Sequence, residues 1–516
     1  MMDITQLEFA LISDLIAAHA RNEPQRLALT DPDTSLSYGQ LDALMDRIAA
    51  SLQAAGLVPG ESIAICATSS VTYAAVFLGA LRAGIVVAPL APGSPELILQ
   101  RMLEDSGARL LFTDMASSTS LNSQWKPSLI RIALDGSGAG IPLSEWLSQE
   151  HATPEAAPIG PAHPLNIIYS SGTTGEPKGI VQPHGMRWAH VRRGAAYGYG
   201  PQSRTLLSTP LYSNTTLVVF FPAIAFGGSI VLMPKFEALA YLKLAQARQI
   251  THTMLVPVQY QRIMARPEFD TFDLSHFFMK FSTSAPFSAT LKADVLQRWP
   301  GGLVEFYGMT EGGGTCILEA HRHPGKLHTV GQPAAGHDIR LIDEQGKEVT
   351  TGEAGEVVGH SAGMMQGYHR QPEKTREAEW FNPEGKRFIR TGDIGRFDEQ
   401  GFLTLFDRKK DMIISGGFNI YPSDLEAELK LHPDVHECAV VGVPSDTWGE
   451  TPVAFVVSKP EATTSSQAML EWLNSRVGKT QRLSGLNQLE ELPRSAIGKV
   501  LKRELRETYQ SQIRAA

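Results

Sequence analysis

The sequence predicts an α/β protein in which a large N-terminal domain is followed by a small α+β domain. An apolar run at residues 62–66, a helical pattern at 72–83 and a second apolar run at 85–90 form a strand–helix–strand unit. Such units imply a parallel sheet covered by helices. Apolar runs at 229–233 and 253–256 repeat the pattern. At 516 residues, the chain is too long for one compact core.

Individual elements are predicted from the spacing of their apolar residues. Residues 41–52 should form a helix, because their apolar side chains recur every three or four positions. Gly84 follows the helical run 72–83 as a C-cap. Short strands separated by Gly-rich turns are predicted at 339–342, 355–358 and 401–406, and further strands at 439–443 and 452–457.

We expect residues 1–409 to form the N-terminal domain, with two βαβ-type subdomains of parallel-rich sheets and a β-subdomain at about 335–409. Residues 410–516 are expected to form the C-terminal domain, because a segment of this length with its own apolar pattern is enough for a small α+β unit. Its first helix is predicted by a capping box of Ser423 and Glu426, directly after Pro422.

Composition and charge indicate a globular protein of the cytoplasm. The chain is 43% hydrophobic and 19% charged, and its formal net charge is −8. An acidic balance argues against nucleic acid as a partner, because phosphate-neutralising cations are not in excess. Cys66, Cys316 and Cys438 are scattered, so neither a zinc site nor a disulfide framework is supported. Residues 1–4 carry acid where a signal peptide carries base, and no apolar run reaches bilayer length, so we expect no stable membrane insertion.

The most informative segment reads YSSGTTGEPKG, at residues 169–179, and follows an apolar strand. A Gly-rich turn after a buried strand lets backbone N–H groups converge on an anion. The hydroxyl groups add donors, and Lys178 adds positive charge. The spacing differs from that of a Walker loop, in which Lys directly precedes Ser or Thr. A polar surface turn is the alternative interpretation of this segment alone.

This segment closely resembles the phosphate loop of the adenylate-forming superfamily, which includes acyl-CoA synthetases, coumarate-CoA ligases, peptide-synthetase adenylation domains and beetle luciferases. Further motifs of the family follow in its order, so the resemblance spans about residues 10–510, and we identify the chain as a member. The nucleotide-binding residues that the resemblance implies in this loop are Ser170, Ser171, Gly172, Thr173, Thr174 and Lys178.

The second motif reads EFYGMTE, at residues 305–311. An aromatic residue can stack on adenine, a glycine permits close approach, and a carboxylate can hold Mg²⁺. The resemblance to the family motif implies that Tyr307 stacks on adenine, Thr310 contacts phosphate and Glu311 binds Mg²⁺. A half-exposed strand end with a solvent-facing Glu311 is the alternative. Other nucleotide-site residues implied by the resemblance are Ser284, Ala285, Pro286, Glu305, Phe306 and Gly308.

Two charged motifs follow. Asp393, in RTGD, is a suitable acceptor for ribose hydroxyls, although Thr-Gly-Asp is also an ordinary turn. In the cluster at residues 407–413, the resemblance implies that Arg408 contacts ribose and that Lys410 is the hinge before a mobile C-terminal domain. A solvated charge cluster is the alternative interpretation of this run.

The last motifs concern the second substrate and the catalytic lysine. The resemblance implies that Gly416 and Gly417 line a tunnel for the pantetheine of CoA. It also implies that Lys499, in PRSAIGK, holds the carboxylate and neutralises charge on the α-phosphate. In the family, the C-terminal domain rotates between the two steps and presents first this lysine and then the glycine loop.

The reaction that the resemblance implies is a ligation with ATP, Mg²⁺ and CoA. A carboxylate attacks the α-phosphorus of ATP, which gives an acyl-adenylate and pyrophosphate, and the thiol of CoA then displaces AMP. No covalent acyl-enzyme is needed, in keeping with a sequence that shows no nucleophile motif.

The acyl pocket is expected around residues 210–217 and 282–287. Many coumarate- and fatty-acid-type relatives carry an aromatic-His pair here, whereas this chain has Tyr212 and Ser213. No Asp is present at 212–217 to hold an ammonium group, which argues against amino acids. Two hydroxyls within 282–287 replace small apolar residues, so the pocket is more polar, and an aromatic, hydroxylated or medium- to long-chain fatty acid fits. The pocket candidates are Tyr212, Ser213, Asn214 and Gly312, while His184 and Trp188 either face the pocket or pack in the core.

Three other functions share the same motifs. An acyl-AMP ligase would load the acyl group onto a carrier protein, and a luciferase-like enzyme would oxygenate the adenylate. A non-catalytic nucleotide-binding regulator is disfavoured, because the motif residues Lys178, Thr310, Glu311, Asp393, Arg408 and Lys499 are all present. The sequence leaves the acid, the thiol acceptor, the pathway and the oligomeric state open, and a homodimer is compatible with it.

Overall fold

The computed structural model describes residues 4–121, 125–126, 128–170, 177–408, 411–415, 418–445, 447–495 and 498–515. The chain divides into two compact units, which we call the large unit (Met1–Asp338 and Gly359–Ile389) and the small unit (Ile339–Val358 and Arg390–Ala516). The predicted domain boundary at residues 409 and 410 stays a prediction. In this division, strands on both sides of it belong to the small unit.

Helices alternate with strands through most of the chain, as predicted. The α-helices are α1 (Ile12–Asn22), α2 (Tyr38–Ala54), α3 (Val71–Arg82), α4 (Glu96–Ser106), α5 (Met115–Ser118), α6 (Leu143–Trp146), α7 (His184–Gly194), α8 (Asn214–Ala225), α9 (Ala238–Ala247), α10 (Pro257–Met264), α11 (Ala289–Arg298), α12 (Pro372–Glu377), α13 (Pro422–Leu429), α14 (Ser466–Asn474) and α15 (Lys502–Ala515).

The strands of the large unit are short, as is usual for buried parallel strands. They are β1 (Leu27–Thr30), β2 (Ser35–Ser37), β3 (Ser62–Cys66), β4 (Val86–Pro89), β5 (Leu110–Thr113), β6 (Ile130–Ala133), β7 (Ile141–Pro142), β8 (Pro164–Ser170), β9 (Lys178–Pro183), β10 (Arg204–Leu207), β11 (Ser229–Leu232), β12 (His252–Leu255), β13 (Met279–Ser282), β14 (Gly302–Gly308), β15 (Thr315–Glu319) and β16 (Gln332–Pro333).

The remaining strands run from residue 338 onward. They are β17 (Asp338–Ile342), β18 (Gly355–His360), β19 (Gly367–Tyr368), β20 (Glu379–Phe381), β21 (Arg387–Phe397), β22 (Leu403–Arg408), β23 (Ile413–Ser415), β24 (Phe418–Ile420), β25 (Val435–Ser445), β26 (Gly449–Ser458) and β27 (Gly485–Leu489).

Two parallel-rich sheets form the large unit. The first has nine strands in the order β16-β15-β14-β13-β12-β10-β11-β1-β2, and its central strands, β1 and β10 to β14, are parallel. The second has eight strands in the order β19-β9-β8-β4-β3-β5-β6-β7. Strand β9 is antiparallel to both of its neighbours, β8 and β19, and the other pairs are parallel. These sheets confirm the predicted α/β class.

The main core packs the buried faces of α2, α3 and α8 together with strands. Helix α2 begins where predicted to within a few residues, because Ser37 and Gln40 form a capping box at its first turn. Helix α8 is apolar along most of its length and almost wholly buried. Gly84 adopts a φ of +71° directly after the C-cap of α3, in agreement with its predicted role in ending that helix.

The small unit contains two antiparallel-rich sheets. Strands β17, β18, β21 and β22 lie side by side, and β24, β23, β26 and β25 form the second sheet, in which β27 pairs in parallel with β26. Helices α13 and α14 cover the second sheet around a core that includes Leu425, Val440 and Leu473. This arrangement matches the predicted small α+β domain.

One local prediction in the small unit is wrong. Helix α13 begins at Pro422 with Tyr421 as its N-cap, and no side chain caps it. The Glu426 carboxylate accepts a hydrogen bond from Val440 N (2.8 Å) and pairs with Lys502 (2.9 Å) instead of forming a capping box. The pairing with β25 and α15 outweighs the local motif, because it satisfies a buried backbone donor.

Two further observations concern the three cysteines and the apolar length of the helices. Cys66, Cys316 and Cys438 are buried free thiols, and burial raises the pKa of Cys66 and of Cys438 to about 12. Among the helices in the described ranges, none is both long enough and apolar enough to cross a bilayer.

Candidate active site

The site candidates of the large unit follow the carboxyl ends of parallel strands. Ser170 ends β8, Ser284 follows β13, and Tyr307 and Gly308 end β14. In open α/β sheets, ligands bind in the crevice at this edge, because loops and helix N-termini converge there. The predicted residues therefore lie where such a fold places its ligand site.

The predicted phosphate loop joins two paired strands. Strands β8 and β9 are antiparallel, with Ser170 opposite Lys178. Of the predicted loop residues, Ser171, Gly172, Thr173 and Thr174 lie outside the described part of the chain, as does the side chain of Ser170. Lys178 is half-buried, and its Nζ lies 5.2 Å from the centroid of the Tyr368 ring, within cation–π distance.

Tyr368 joins this lysine to the second motif. Its hydroxyl donates to Glu311 Oε1 (2.8 Å), so one side chain contacts both the loop lysine and the candidate metal ligand. Burial and the Glu311 carboxylate raise the pKa of Tyr368, which keeps the hydroxyl protonated and donating. Strand β19 sets this position by pairing Tyr368 with Ile180 of β9. Sequence analysis missed Tyr368, because only the long-range pairing of β19 with β9 reveals its place.

The EFYGMTE motif runs from β14 into a loop held by backbone contacts. Gly308 lies opposite Thr315 of β15, and the Thr310 carbonyl accepts from Gln182 Nε2 (2.7 Å). The Glu311 carbonyl accepts from Met365 N (2.8 Å). Tyr307, Thr310 and Glu311 are half-buried, so they are accessible to a ligand while their backbone is fixed.

The carboxylate of Glu311 suits Mg²⁺ bound together with a nucleotide. Among the described residues, no three His, Cys, Asp or Glu side chains cluster as a metal site of their own. Mg²⁺ commonly binds through one or two carboxylates plus substrate phosphates. Glu311 beside Lys178 and Tyr368 offers that single carboxylate next to a cation that can face phosphate.

Glu305, the first residue of the EFYGMTE motif, lies in the interior. Its carboxylate forms an ion pair with Lys292 of α11, and both side chains are almost fully buried. The Lys292 ammonium also donates to the carbonyls of Leu327 (2.8 Å) and Thr329 (3.1 Å). Burial raises the pKa of Glu305, and the charge of Lys292 partly offsets this shift. Lys292, which sequence analysis did not single out, therefore anchors the strand that carries the motif.

Ser284 and Thr215 form a hydroxyl pair in the predicted acyl region. Their Oγ and Oγ1 atoms are 2.6 Å apart, and Ser284 has a φ of +80°, a conformation that disfavours residues with a Cβ. Such strain is kept where the surrounding structure requires the side chain at that position. Ala285 and Pro286 follow as half-buried and exposed residues, respectively.

The other acyl-pocket candidates lie at the start of α8 and after Glu311. Ser213 Oγ accepts from Thr215 N (3.3 Å) and caps the helix, while Asn214 Oδ1 accepts from Gln182 Nε2 (3.3 Å). Tyr212 is half-buried. Gly312 has a φ of +71°, and a Cβ there would lie 2.4 Å from the Gly363 carbonyl oxygen, so no larger residue fits.

Helix α7, which follows the phosphate hairpin, contributes buried basic groups. Arg187 donates to Asn166 Oδ1 (3.3 Å) and to Gln182 Oε1, and burial lowers its pKa to about 9. His184 is buried, which lowers its pKa to about 4. Trp188 Nε1 donates to the Glu8 carbonyl (2.7 Å), so the alternative of core packing holds for Trp188.

The small unit carries the remaining candidates. Asp393 and Arg408 lie opposite each other on β21 and β22, and Asp393 N donates to Thr391 Oγ1 (3.0 Å); RTGD lies within strand β21, so the alternative of an ordinary turn does not hold. Lys499 is half-buried, and its backbone N–H donates to Ser495 Oγ (3.2 Å). Lys410, Gly416 and Gly417 lie outside the described residues, as does the side chain of Arg408.

Comparisons with known proteins match this arrangement along almost the whole chain. The profile of the AMP-binding enzyme family matches residues 16–369, and that of the AMP-binding enzyme C-terminal domain matches residues 424–499. A feruloyl-CoA synthase of an Amycolatopsis species is 32% identical over 500 residues, which cover 95% of this chain and 97% of that protein. An indoleacetate–CoA ligase of Aromatoleum aromaticum is 32% identical over 518 residues, with 96% and 98% covered.

A solved structure shows the same fold. ATP-bound MatB from Rhodopseudomonas palustris is similar with a TM-score of 0.84 and 29% identity, covering 96% of this chain and 99% of that one. The predicted membership is therefore confirmed: the chain belongs to the AMP-binding enzyme family, as an AMP-forming ligase of the acyl-CoA synthetase type within the adenylate-forming superfamily.

Proposed function

We propose that the protein is an ATP-dependent acid–CoA ligase that works through an acyl-adenylate. The observation that carries this proposal is the contact of Tyr368 with both Lys178 and Glu311. It sets a cation and a metal-binding carboxylate side by side at the carboxyl edge of the sheets. A triphosphate needs both kinds of group, because its charge must be neutralised while its phosphates are oriented.

In the first step, a carboxylate oxygen of the acid attacks the α-phosphorus of ATP, and the bond to pyrophosphate breaks. Lys178 binds phosphate oxygens, Tyr307 stacks on adenine, and Asp393 accepts from ribose hydroxyls. Mg²⁺ held by Glu311 would supply charge neutralisation on the phosphates. Lys499 holds the acid carboxylate and stabilises charge on the α-phosphate.

In the second step, the thiol of CoA attacks the carbonyl carbon of the adenylate. The carbon–oxygen bond to AMP breaks, the thiol proton is released, and the products are a thioester and AMP. Gly416 and Gly417 would leave room for the pantetheine arm, because glycine has no Cβ. The names of the relatives, which are CoA synthases and CoA ligases, support CoA as the acceptor.

The acid that we propose is aromatic or hydroxylated, although a medium- or long-chain fatty acid has the same reactive group. Feruloyl-CoA synthase and indoleacetate–CoA ligase are named for aromatic acids. The hydroxyl pair of Thr215 and Ser284 offers a hydrogen-bond partner in the acyl region. Phe281 and Phe306, whose ring centroids are 5.6 Å apart, form a buried aromatic stack in the same sheet.

Measuring the two half-reactions separately in the Lys499→Ala variant tests the assignment. We expect pyrophosphate release to fall by about 100-fold or more, the size of effect seen when one transition-state charge contact is lost. Thioester formation from supplied acyl-AMP and CoA should be largely spared. The exposed Lys479→Ala in the same unit is the matched control and should change neither half-reaction.

Pyrophosphate release by the wild type, measured with and without CoA, identifies the acceptor of the acyl group. Pyrophosphate release that turns over only with CoA supports the ligase. A single turnover despite CoA would replace CoA by a carrier protein as acceptor. Equal loss of both half-reactions in Lys499→Ala would contradict the role given to this lysine.

A further inference from the structure

One face of helix α7 runs along the EFYGMTE segment. Met186, His190 and Arg193 recur at helical spacing and therefore share a face. Met186 lies against Gly312, since a Cβ on that glycine would be 2.8 Å from the methionine Cε. Arg193 Cζ lies 4.8 Å from the centroid of the Phe306 ring. The two ends of this face thus flank the segment that contacts the adenylate under the proposed function.

The groups on and beside this face are basic. Arg187 Nη1 lies 3.5 Å from His190 Nδ1, and His337 Nδ1 accepts from Thr315 N (2.9 Å), directly opposite Gly308. Besides burial, the charges that lower the pKa of His190 come chiefly from Arg193 and Arg187. We call Arg187, His190, Arg193 and His337 the basic cluster. Burial is the main cause that lowers the pKa of both histidines, and Arg193 adds to the shift of each, so they are neutral and each can donate an N–H.

Arg193 is the group in this cluster whose charge is not balanced. It is half-buried, and within the described ranges it has neither a hydrogen-bond acceptor nor an ion-pair partner. Its ring contact is the face of Phe306. A half-buried cation without a counter-ion is costly, so its position favours an anion supplied from outside.

The surroundings of Arg193 give the shape of that ligand. The rings of Tyr197, Phe281 and Phe306 pack together, with centroids 5.3 Å apart for Tyr197 and Phe281 and 6.0 Å apart for Tyr197 and Phe306. These rings are almost fully buried in the main core, so a ligand meets only the rim of this apolar cluster, where an oxyanion can reach the guanidinium. Guanidinium groups bind carboxylates through two parallel hydrogen bonds, which no neutral substituent reproduces.

We propose that the acid substrate carries a second anionic group, of the carboxylate class, at the end remote from the carboxylate that is activated. Arg193 binds this group, and the N–H donors of His190 and His337 assist. The inference rests on the proposed function, because that function assigns the other carboxylate of the acid to Lys499 and to attack on the α-phosphorus.

Matched acids test the inference. Benzoate, 4-nitrobenzoate and terephthalate carry hydrogen, nitro and carboxylate, respectively, at the end remote from the activated carboxylate. Nitro is the control, because it is a neutral group of carboxylate shape. Cinnamates with the same three end groups, and the pair hexanoate and adipate, extend the series to longer acids. We expect pyrophosphate release with a kcat/KM at least about tenfold higher for the carboxyl member than for the nitro member at one of these lengths, the effect of one charge-assisted hydrogen bond. Arg193→Met should remove this preference and leave the nitro acid's kcat/KM nearly unchanged.

Two further variants and a binding measurement complete the test. Arg193→Lys should restore part of the preference, whereas Arg192→Met, at the exposed neighbouring arginine, should leave it intact. Thermal shift with each acid, in the presence of ATP, reports binding without turnover. A dianion that stabilises the wild type but not Arg193→Met supports the inference even if no pyrophosphate forms, and that result would contradict only the proposed function.

Release from the nitro and carboxyl acids at equal rates would overturn the inference and leave the ligase intact. Equal loss with both acids in Arg193→Met would also overturn it, because the arginine would then act on the fold or on the reaction in general. If no acid is turned over and none shifts the melting temperature of the wild type, both proposals fail.

Discussion

Two regions of the large unit contain buried or half-buried cations, and only one of them supplies acceptors or a counter-ion for the charge. Beneath the first sheet, Lys280 Nζ donates to the carbonyls of Trp299 (3.1 Å), Pro300 (2.6 Å) and Gly301 (2.8 Å), and Lys292 pairs with Glu305. Along α7, Arg193 faces aromatic rings and neighbouring basic groups.

The difference separates structural charges from ligand-binding ones. A buried cation with its own acceptors or counter-ion ties elements together and leaves nothing for a ligand. A cation without them lowers the stability of the free protein and gains its partner on binding. The comparison therefore predicts that mutations in the first region change the free energy of unfolding, while those in the second change substrate preference.

The largest effect is expected for Lys292→Met. Removing the ammonium leaves the Glu305 carboxylate buried without its partner, which should cost about 3–5 kcal/mol in the free energy of unfolding. Urea unfolding measures the loss. The double variant Lys292→Met with Glu305→Met should regain most of it, because it removes both charges and fills the space.

The pH dependence of the single variant sharpens this prediction. Burial raises the pKa of Glu305, so the unfolded chain releases this proton more readily than the folded one. The raised pKa adds stability at low pH that is lost as pH rises through it. The deficit of Lys292→Met should thus be smaller at pH 5 than at pH 8, and a deficit independent of pH would contradict a buried uncompensated carboxylate.

Lys280→Met should cost less. It leaves the carbonyls of residues 299–301, which follow α11, without their donor, at about 1–3 kcal/mol. Burial lowers the pKa of Lys280 to about 7, while its carbonyl acceptors support the charged form. Unfolding in urea at pH 7 measures the change, and unaltered activity per folded molecule is the expected companion result.

Tyr368→Phe tests the bridge between the two motifs. The variant loses the hydroxyl that donates to Glu311 but keeps the ring over Lys178, so kcat/KM for pyrophosphate release should fall about tenfold. More Mg²⁺ should be needed for half-maximal rate. Tyr241→Phe, which removes a buried hydroxyl bonded to Thr253 (2.8 Å), is the control and should change stability alone.

The smallest effect on stability is expected for Arg193→Met. No bond within the described structure is lost, and the cost of burying a charge is relieved, so the free energy of unfolding should change by less than about 1 kcal/mol or rise. A loss as large as that of Lys292→Met would remove the distinction between the two regions.

Local elements could be predicted from the sequence, whereas contacts between residues that are distant in sequence could not. The strand–helix–strand unit at residues 62–90 and the placement of Tyr307 and Glu311 at and after the end of a strand follow from apolar spacing and a contiguous motif. The Ser423–Glu426 capping box failed because a long-range contact to Val440 competes for the same carboxylate.

The residues that were missed share one property, which is that their partners are far away in sequence. Tyr368 acquires meaning only through β19 and β9, and Lys292 only through β14. Arg193 is not part of any motif, and a single sequence gives no signal that its neighbours in space are basic as well. A cation without a counter-ion, such as Arg193, can be recognised only once the fold is known.

The most direct test of the account is the affinity of two non-hydrolysable acyl-adenylate analogues, one ending in nitro and one in carboxylate, at the length that turnover selects. We predict that both bind the wild type, that the carboxylate analogue binds at least about tenfold more tightly, and that Arg193→Met abolishes the difference. Equal affinities in the wild type would contradict the role of Arg193, and binding of neither analogue would contradict the adenylate site itself.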